Sequence, residues 1–394
     1  MNTINRRTFL KTTAATAAMA TPLFGAASNE DYKALVCVLL EGGADTLDMV
    51  LPKYHSAAHA AYEQVRPGIA QPRQKIRPLL GSRYGLHPAM PHLQKLYNLK
   101  NLAVVANVGS LTQPVTKSEI LRGAAKLPSQ LFQRVAQRDQ AMMAGGKKSG
   151  WAARVGDQLG TPQANISVGG LNRMQHGAAH PALIAHDEHH GVMDDPHRIM
   201  ERLERIDIGA QASEGNTKTL AEQLEIVASL MAARRDARFP GRQIYFVRQR
   251  GWETAGLSTE AAVTQNRANI AQLDQALGDF GVALDGLGLG EKVTTFTTTD
   301  LSAGVQFPQG ADQGWGGHLF AMGGAVRGGL YGTMPSLRPD SPDALDGNAL
   351  IPTTSTDQYL ATLVAWLGDG KLDLHDAFPR LKNFKDETLG FMSA

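Results

Sequence analysis

Ala34-Leu35-Val36-Cys37-Val38-Leu39-Leu40-Glu41-Gly42-Gly43-Ala44-Asp45 decides the fold class of this 394-residue chain. An apolar, β-rich run of this length reads as a strand, and the paired glycines let the backbone turn sharply at its end. Four further runs have the same character: Leu102–Val108, Asn165–Val168, Gln243–Val247 and Val293–Thr299. Amphipathic stretches alternate with them. Leu220, Leu224, Val227 and Met231 fall on one helical face, as do Val263, Ile270, Leu273, Leu277 and Phe280. A third helix is predicted after Thr356, burying Tyr359, Leu360, Leu363 and Leu367 and ending at Gly368. Strands alternating with helices predict an α/β fold, a mostly parallel sheet flanked by helices. Sites in such sheets collect where strands end. Attention therefore goes to the residues after Leu40, Val247 and Thr299. The turn after Leu40 presents Asp45 at that edge, where its carboxylate suits either a metal ion or the capping of the next turn.

The amino terminus addresses a different question. Asn5-Arg6-Arg7-Thr8-Phe9-Leu10-Lys11 is a paired-arginine segment, and a mildly apolar, small-residue run follows from Thr12 to Ala27. That order is the pattern of a twin-arginine signal peptide. We expect cleavage after Ala27, with Ala20 as the other small-residue site, leaving 28–394 as the mature chain. No cysteine stands directly after the apolar run, where a lipoprotein anchor would need one, and no other stretch is apolar for long enough to span a bilayer. The protein is thus expected in the periplasm or secreted, and not membrane-spanning. Composition is that of a globular protein, 43% hydrophobic and 19% charged, with 41 glycines for many tight turns. Removing Arg6, Arg7 and Lys11 with no acidic residue takes the formal charge from +2 to −1, so nucleic-acid binding has no electrostatic support. Cys37, the one cysteine, is expected as a buried, inert thiol.

Two glycine-rich segments carry a resemblance. One is Glu41-Gly42-Gly43-Ala44-Asp45-Thr46-Leu47-Asp48-Met49-Val50-Leu51-Pro52. The other runs Gly310-Ala311-Asp312-Gln313-Gly314-Trp315-Gly316-Gly317-His318 and on to Gly323-Gly324-Ala325-Val326-Arg327-Gly328-Gly329. With Tyr62, Arg66-Pro67, Leu86-His87-Pro88, Gly251-Trp252 and Phe378-Pro379-Arg380-Leu381, they resemble a bacterial family of exported proteins of unknown function. That family lies within the alkaline phosphatase/sulfatase-like superfamily, and the resemblance covers nearly all of 28–394 as one domain. It implies an alkaline phosphatase-like fold and a site where carboxylates and histidines hold divalent metals around a phosphate- or sulfate-like ester.

The chain departs from the family pattern at each part of that site. Relatives read Gly-Trp-Asp-Thr-His where this sequence has Gly251-Trp252-Glu253-Thr254-Ala255. They read Ser-Asp/Glu-Phe-Gly-Arg where it has Thr299-Asp300-Leu301-Ser302-Ala303. Asp-His-Gly-Trp becomes Asp312-Gln313-Gly314-Trp315, and Leu-Phe-Ser-His becomes Leu131-Phe132-Gln133-Arg134. An alanine cannot ligate, and a glutamine carbonyl is a poor substitute for imidazole on a zinc-like ion. Asp45, Glu253, Asp300 and Asp312 remain, an oxygen-only set suited to calcium or magnesium if it holds any ion. The expectation is therefore an exported protein that has lost catalysis, a pseudoenzyme without cofactor, acting as a binding or scaffold partner. Its partner would be another exported protein or a cell-surface component. The resemblance favours a largely helical exported protein. A calcium- or magnesium-dependent phosphate- or sulfate-ester hydrolase is the alternative.

His176, His180, His186, His189, His190 and His197 suit zinc, nickel or copper by type but match no ligand spacing, and would make a periplasmic metal-binding protein only as a third reading. His55 and His59 are i, i+4 neighbours without a metalloprotease glutamate and are expected at the surface. His318 is expected in the core. Gly286-Leu287-Gly288-Leu289-Gly290 follows a helix and precedes a strand, the reverse of a nucleotide-binding turn.

Overall fold

The run around Cys37 is the middle of a large mixed sheet. The computed structural model describes residues 32–144, 148–160, 164–177, 179, 182–184, 218–233, 241–307, 314–338 and 340–393. In chain order its strands are β1 (Lys33–Leu40), β2 (Val50–Pro52), β3 (Arg77–Pro78), β4 (Tyr84–Leu86), β5 (Leu102–Gly109), β6 (Asn165–Ser167) and β7 (Leu183–Ile184). They continue with β8 (Arg242–Gln249), β9 (Val293–Thr299), β10 (Gly317–Met322), β11 (Gly329–Tyr331), β12 (Ala344–Leu345), β13 (Ala349–Leu350) and β14 (Thr354–Ser355). The main sheet has the order β11-β5-β10-β9-β1-β8-β6-β7, with β14 also paired to β5. Its pairings are parallel except those of β10, which runs antiparallel between β5 and β9. Two small antiparallel sheets, β2-β4-β3 and β12-β13, lie apart from it.

From Ala34 onward β1 is apolar because both its faces are covered. Ala34, Val36, Val38 and Leu40 enter one core with the helices Pro91–Asn98, Leu220–Ala232 and Thr259–Gly286. Leu35, Cys37 and Leu39 enter the other with the helices Trp151–Leu159 and Thr356–Leu367. A strand buried on both faces needs apolar residues at every position, which is why the run lacks alternation. The sequence therefore predicted this architecture correctly: α/β, a mostly parallel sheet between helical layers. The five predicted strands agree to within two residues at each end. Side chains cap the helix starts: Thr219 with Glu222 and Ser355 with Gln358 form capping boxes, and Ser258 caps the 28-residue helix Thr259–Gly286. Gly368 closes the helix Thr356–Leu367, while Asp369 and Gly370 take the left-handed turn beyond it.

β10 was missed. Its first residues belong to the glycine-rich motif, and only Leu319–Met322 has strand character in sequence. The Cys37 thiol is fully buried and burial pushes its pKa upward. Iodoacetamide at pH 8 should therefore leave Cys37 unmodified in the native protein and alkylate it in urea, a difference mass spectrometry reads directly.

Candidate functional site at the carboxyl edge of the sheet

Three loops leave the carboxyl ends of the adjacent strands β9, β1 and β8 and meet. The turn after β1 holds Gly42 at φ +118° and Gly43 at φ +90°, conformations that a side chain would resist. Their amides face Asp300, the first residue beyond β9: Oδ1 accepts from Gly42 N at 3.0 Å and from Gly43 N at 3.4 Å. A Cβ on Gly42 would come within 2.6 Å of the backbone nitrogen of Glu253, so the loop after β8 is packed directly on the turn. Asp45, Glu253 and Asp300 thus stand on loops at one edge of the sheet. Their carboxylates do not join in one set. Asp300 is buried and its pKa is raised, by burial first and then by Glu41, against the two amides. Glu253 is exposed and accepts from Ala255 N at 3.3 Å. Asp312 and Gln313 lie outside the described residues.

Asp45 is taken by a cation. Arg66, the residue after the helix Ser56–Val65, grips it with both arms of its guanidinium: Nη1 to Oδ2 at 2.5 Å and Nη2 to Oδ1 at 2.9 Å, with both side chains essentially inaccessible. Arg66 Nε also donates to Val305 O at 3.0 Å. Asp45 stands at the cap position of the short turn Thr46–Asp48 but its side chain makes no capping bond, so the capping role expected for it is not seen. Asp48 lies next to this pair. It accepts from Tyr62 Oη at 2.6 Å and sits 3.7 Å from His87 Nε2, and Arg66 Nη1 is 4.0 Å away. The motif residues Tyr62, Arg66 and His87, which had no assigned role, therefore converge beneath the turn after β1. Nothing in their spacing announces this, because the partners come from separate elements.

The same cluster has opposed titrations. Burial, then the neighbouring Asp45 charge, pushes Asp48 up to about 7, while burial and Arg267 push His87 down to about 4. A raised carboxyl pKa stabilises the fold below the unfolded value and loses that contribution as pH rises to about 7. A depressed histidine works the other way, losing its contribution as pH falls from 6.5 toward 4. The two offset each other in the parent. Asp48→Asn should therefore gain stability relative to the parent as pH rises from 4 to 7, and His87→Gln should lose it. Each trend should be on the order of 1–4 kcal/mol, read from urea midpoints across the range. Parallel trends in the two variants would contradict this assignment.

The glycines of the second motif are explained by close approach. A Cβ on Gly314 would overlap the carbonyl oxygen of Ser302, one on Gly316 would overlap Asn107 Oδ1, and one on Gly317 would lie 2.5 Å from Thr46 Oγ1. The motif therefore wedges against the loops after β1 and β9 and against β5. Trp315 Nε1 donates to Ser110 O at 2.8 Å, and Gln137 Nε2 to Gly314 O at 3.0 Å. Between them a cavity of about 30 Å³ is lined by Ser110, Gln137, Asp300, Ser302, Trp315 and Thr356. It has room for one or two waters and no ester substrate. Gln133, which stands where relatives have serine, is exposed at the start of the helix Arg134–Met143.

His318 is buried in β10, as expected, and its Nδ1 accepts from Asn107 N at 3.2 Å. His59 is not at the surface. It is 3% exposed, edge-on to Tyr62 at 5.8 Å with Nε2 3.1 Å from Gln71 O, because its helix turns that face onto the buried cluster. His55 caps the same helix, accepting from Ala58 N. His176 is exposed, and the other histidines of that segment lie outside the described residues. Among the described residues no group of three or more His, Cys, Asp or Glu is arranged to hold a metal ion.

Residues 3–22 match the model of the twin-arginine translocation pathway signal sequence. The chain carries a twin-arginine export signal. It is an exported protein, and among the described residues no helix is long and apolar enough to cross a membrane. No curated protein matches the sequence significantly. Solved structures with similar topology include a Vibrio parahaemolyticus protein in the alkaline phosphatase superfamily, 9% identical, covering 93% of this chain and 76% of that one with a TM-score of 0.43. Another is a protein from a Bacteroides thetaiotaomicron locus for the metabolism of multiple glycosaminoglycans, at 10% identity, 86% and 73% coverage and a TM-score of 0.43. A third is the lipoteichoic acid synthase LtaP from Listeria monocytogenes, at 10% identity, 78% and 71% coverage and a TM-score of 0.37.

Proposed function

We propose that this exported α/β protein, whose motifs resemble the alkaline phosphatase/sulfatase-like superfamily, acts by binding a partner and not by hydrolysing an ester. The observation that carries the reading is the two-armed grip of Arg66 on Asp45. A divalent cation at this edge would compete with a buried guanidinium for the same two oxygens. Asp300 is committed to the amides of Gly42 and Gly43, and Ala255 and Gln313 stand where relatives carry imidazoles. These residues do not fit a metal centre of the kind the resemblance implies. The carboxylates are better understood as struts that hold three loops in one shape. Exposed Phe132, just before the helix that supplies Gln137 to this edge, and Val135, in its first turn, offer apolar contact to another exported protein or a cell-surface component.

Elemental analysis of the mature protein tests the reading, together with turnover of p-nitrophenyl phosphate and p-nitrophenyl sulfate. We expect calcium, magnesium and zinc well below one per chain and rates at the buffer background, unchanged in Asp300→Asn. A stoichiometric calcium or magnesium, lost with a measurable rate in Asp300→Asn, would establish the hydrolase instead.

A further inference from the structure

A second and larger cavity opens on the other face of β10. It measures about 340 Å³ and is walled by Leu47, Val50, Pro52, Met334 and Leu337, with His318 among its lining residues. That volume lies within the range of small-molecule sites, about 300–1,000 Å³. His318 and Leu319 are consecutive, yet one lines this cavity and the other the small one beside Asp300, so the two spaces are separated by the sheet itself.

The polar group inside it is built with care. The pairing of β10 with β5 shifts register between Gly317 and Leu319, and opposite this irregularity Asn107 adopts φ +51°. Asn107 Nδ2 donates to Ile351 O at 2.7 Å, which anchors the residue, and its backbone N–H is given to His318 Nδ1. With Nδ1 accepting, the ring proton sits on Nε2. That N–H has no hydrogen-bond partner among the described residues. Of the charged groups at the lining, Arg338 pairs with Asp340, and Asp343 Oδ2 accepts from Ser336 N. Apolar walls are joined by His55, Tyr84, Ser336, Arg338 and Asp343, all partly exposed, and His318 is the buried polar residue of the lining.

We propose that this cavity binds an uncharged, largely apolar small molecule through a single hydrogen-bond acceptor, which takes the Nε2–H of His318. An anion would have to shed its water where no free cation meets it, and a pure hydrocarbon would leave the donor unsatisfied.

Acetophenone, ethylbenzene and benzoate share one ring and separate these cases. Ligand-detected NMR titrations on the mature chain should give acetophenone a roughly millimolar or tighter Kd. It should bind at least about fivefold tighter than either ethylbenzene or benzoate. Ala58→Phe, at a half-buried wall position, should fill the space and weaken acetophenone at least about tenfold without lowering Tm. His318→Phe should abolish the preference for acetophenone over ethylbenzene, and if that variant does not fold, the ligand series and Ala58→Phe still decide. Undetectable acetophenone binding, equal affinity for ethylbenzene, tighter binding of benzoate, or affinity unchanged by Ala58→Phe would each overturn the proposal.

Discussion

Arg66→Met should cost the protein about 3–5 kcal/mol, the largest loss expected from any single charge removal at this edge. Asp45 and Asp48 are both buried within reach of the Arg66 guanidinium, and Asp45 spends both its oxygens on it. Without Arg66, Asp45 has no cation in contact, and water cannot reach it without opening the loops. Arg66→Lys should also be destabilising, because one ammonium cannot reproduce a two-armed contact or reach Val305 O at the same time. The pair Asp45→Asn with Arg66→Met should recover a large part of the loss, since most of the penalty is a stranded charge and not a lost attraction. Urea denaturation of the three variants and the parent measures all of this. A loss below about 1 kcal/mol in Arg66→Met would mean that Asp45 finds another partner, and the strut reading would fall with it.

Gly314→Ala should be the most damaging substitution among the motif glycines. The added methyl would overlap the carbonyl oxygen of Ser302 and lie 2.5 Å from that of Ala303. Both are backbone atoms of the loop that follows Asp300, so no rotamer change relieves the contact. The loop must move, and the bond from Gln137 to Gly314 O and the position of Trp315 move with it. We expect a loss of about 3 kcal/mol or more, seen as a lower thermal midpoint. Gly68→Ala is the control: Gly68 has a positive φ but nothing within 4 Å of the added carbon, so it should cost only about 1 kcal/mol. Equal, small effects at both positions would show that the three loops can repack independently.

How far these features can be read without a structure follows from the range of the forces involved. The run through Cys37 announces a strand because covering both faces of a sheet demands apolar residues at every position. The helix Thr259–Gly286 announces itself by the three- and four-residue spacing of its buried positions. Ala255 is informative on the page because a methyl group cannot ligate in any environment. β10 was hidden because a strand whose first residues serve close packing against other loops uses glycine, which carries no strand signal. His59 was placed at the surface for want of the cluster that buries it. The partnership of Asp45 with Arg66 had no local signature at all: they are 21 positions apart, with a helix between them.

By itself, then, the sequence determined the export signal at Arg6-Arg7, the α/β alternation, and the delivery of Asp45, Glu253 and Asp300 to one edge of a mostly parallel sheet. Those properties depend on side-chain type and short-range periodicity. The tertiary structure decided which partner each carboxylate takes: a guanidinium for Asp45, two amides for Asp300, a neighbouring amide for Glu253. Hydrogen bonds fade within a fraction of an ångström and buried charges respond to whatever lies within a few ångströms. Such choices are settled only when residues distant in sequence are packed side by side.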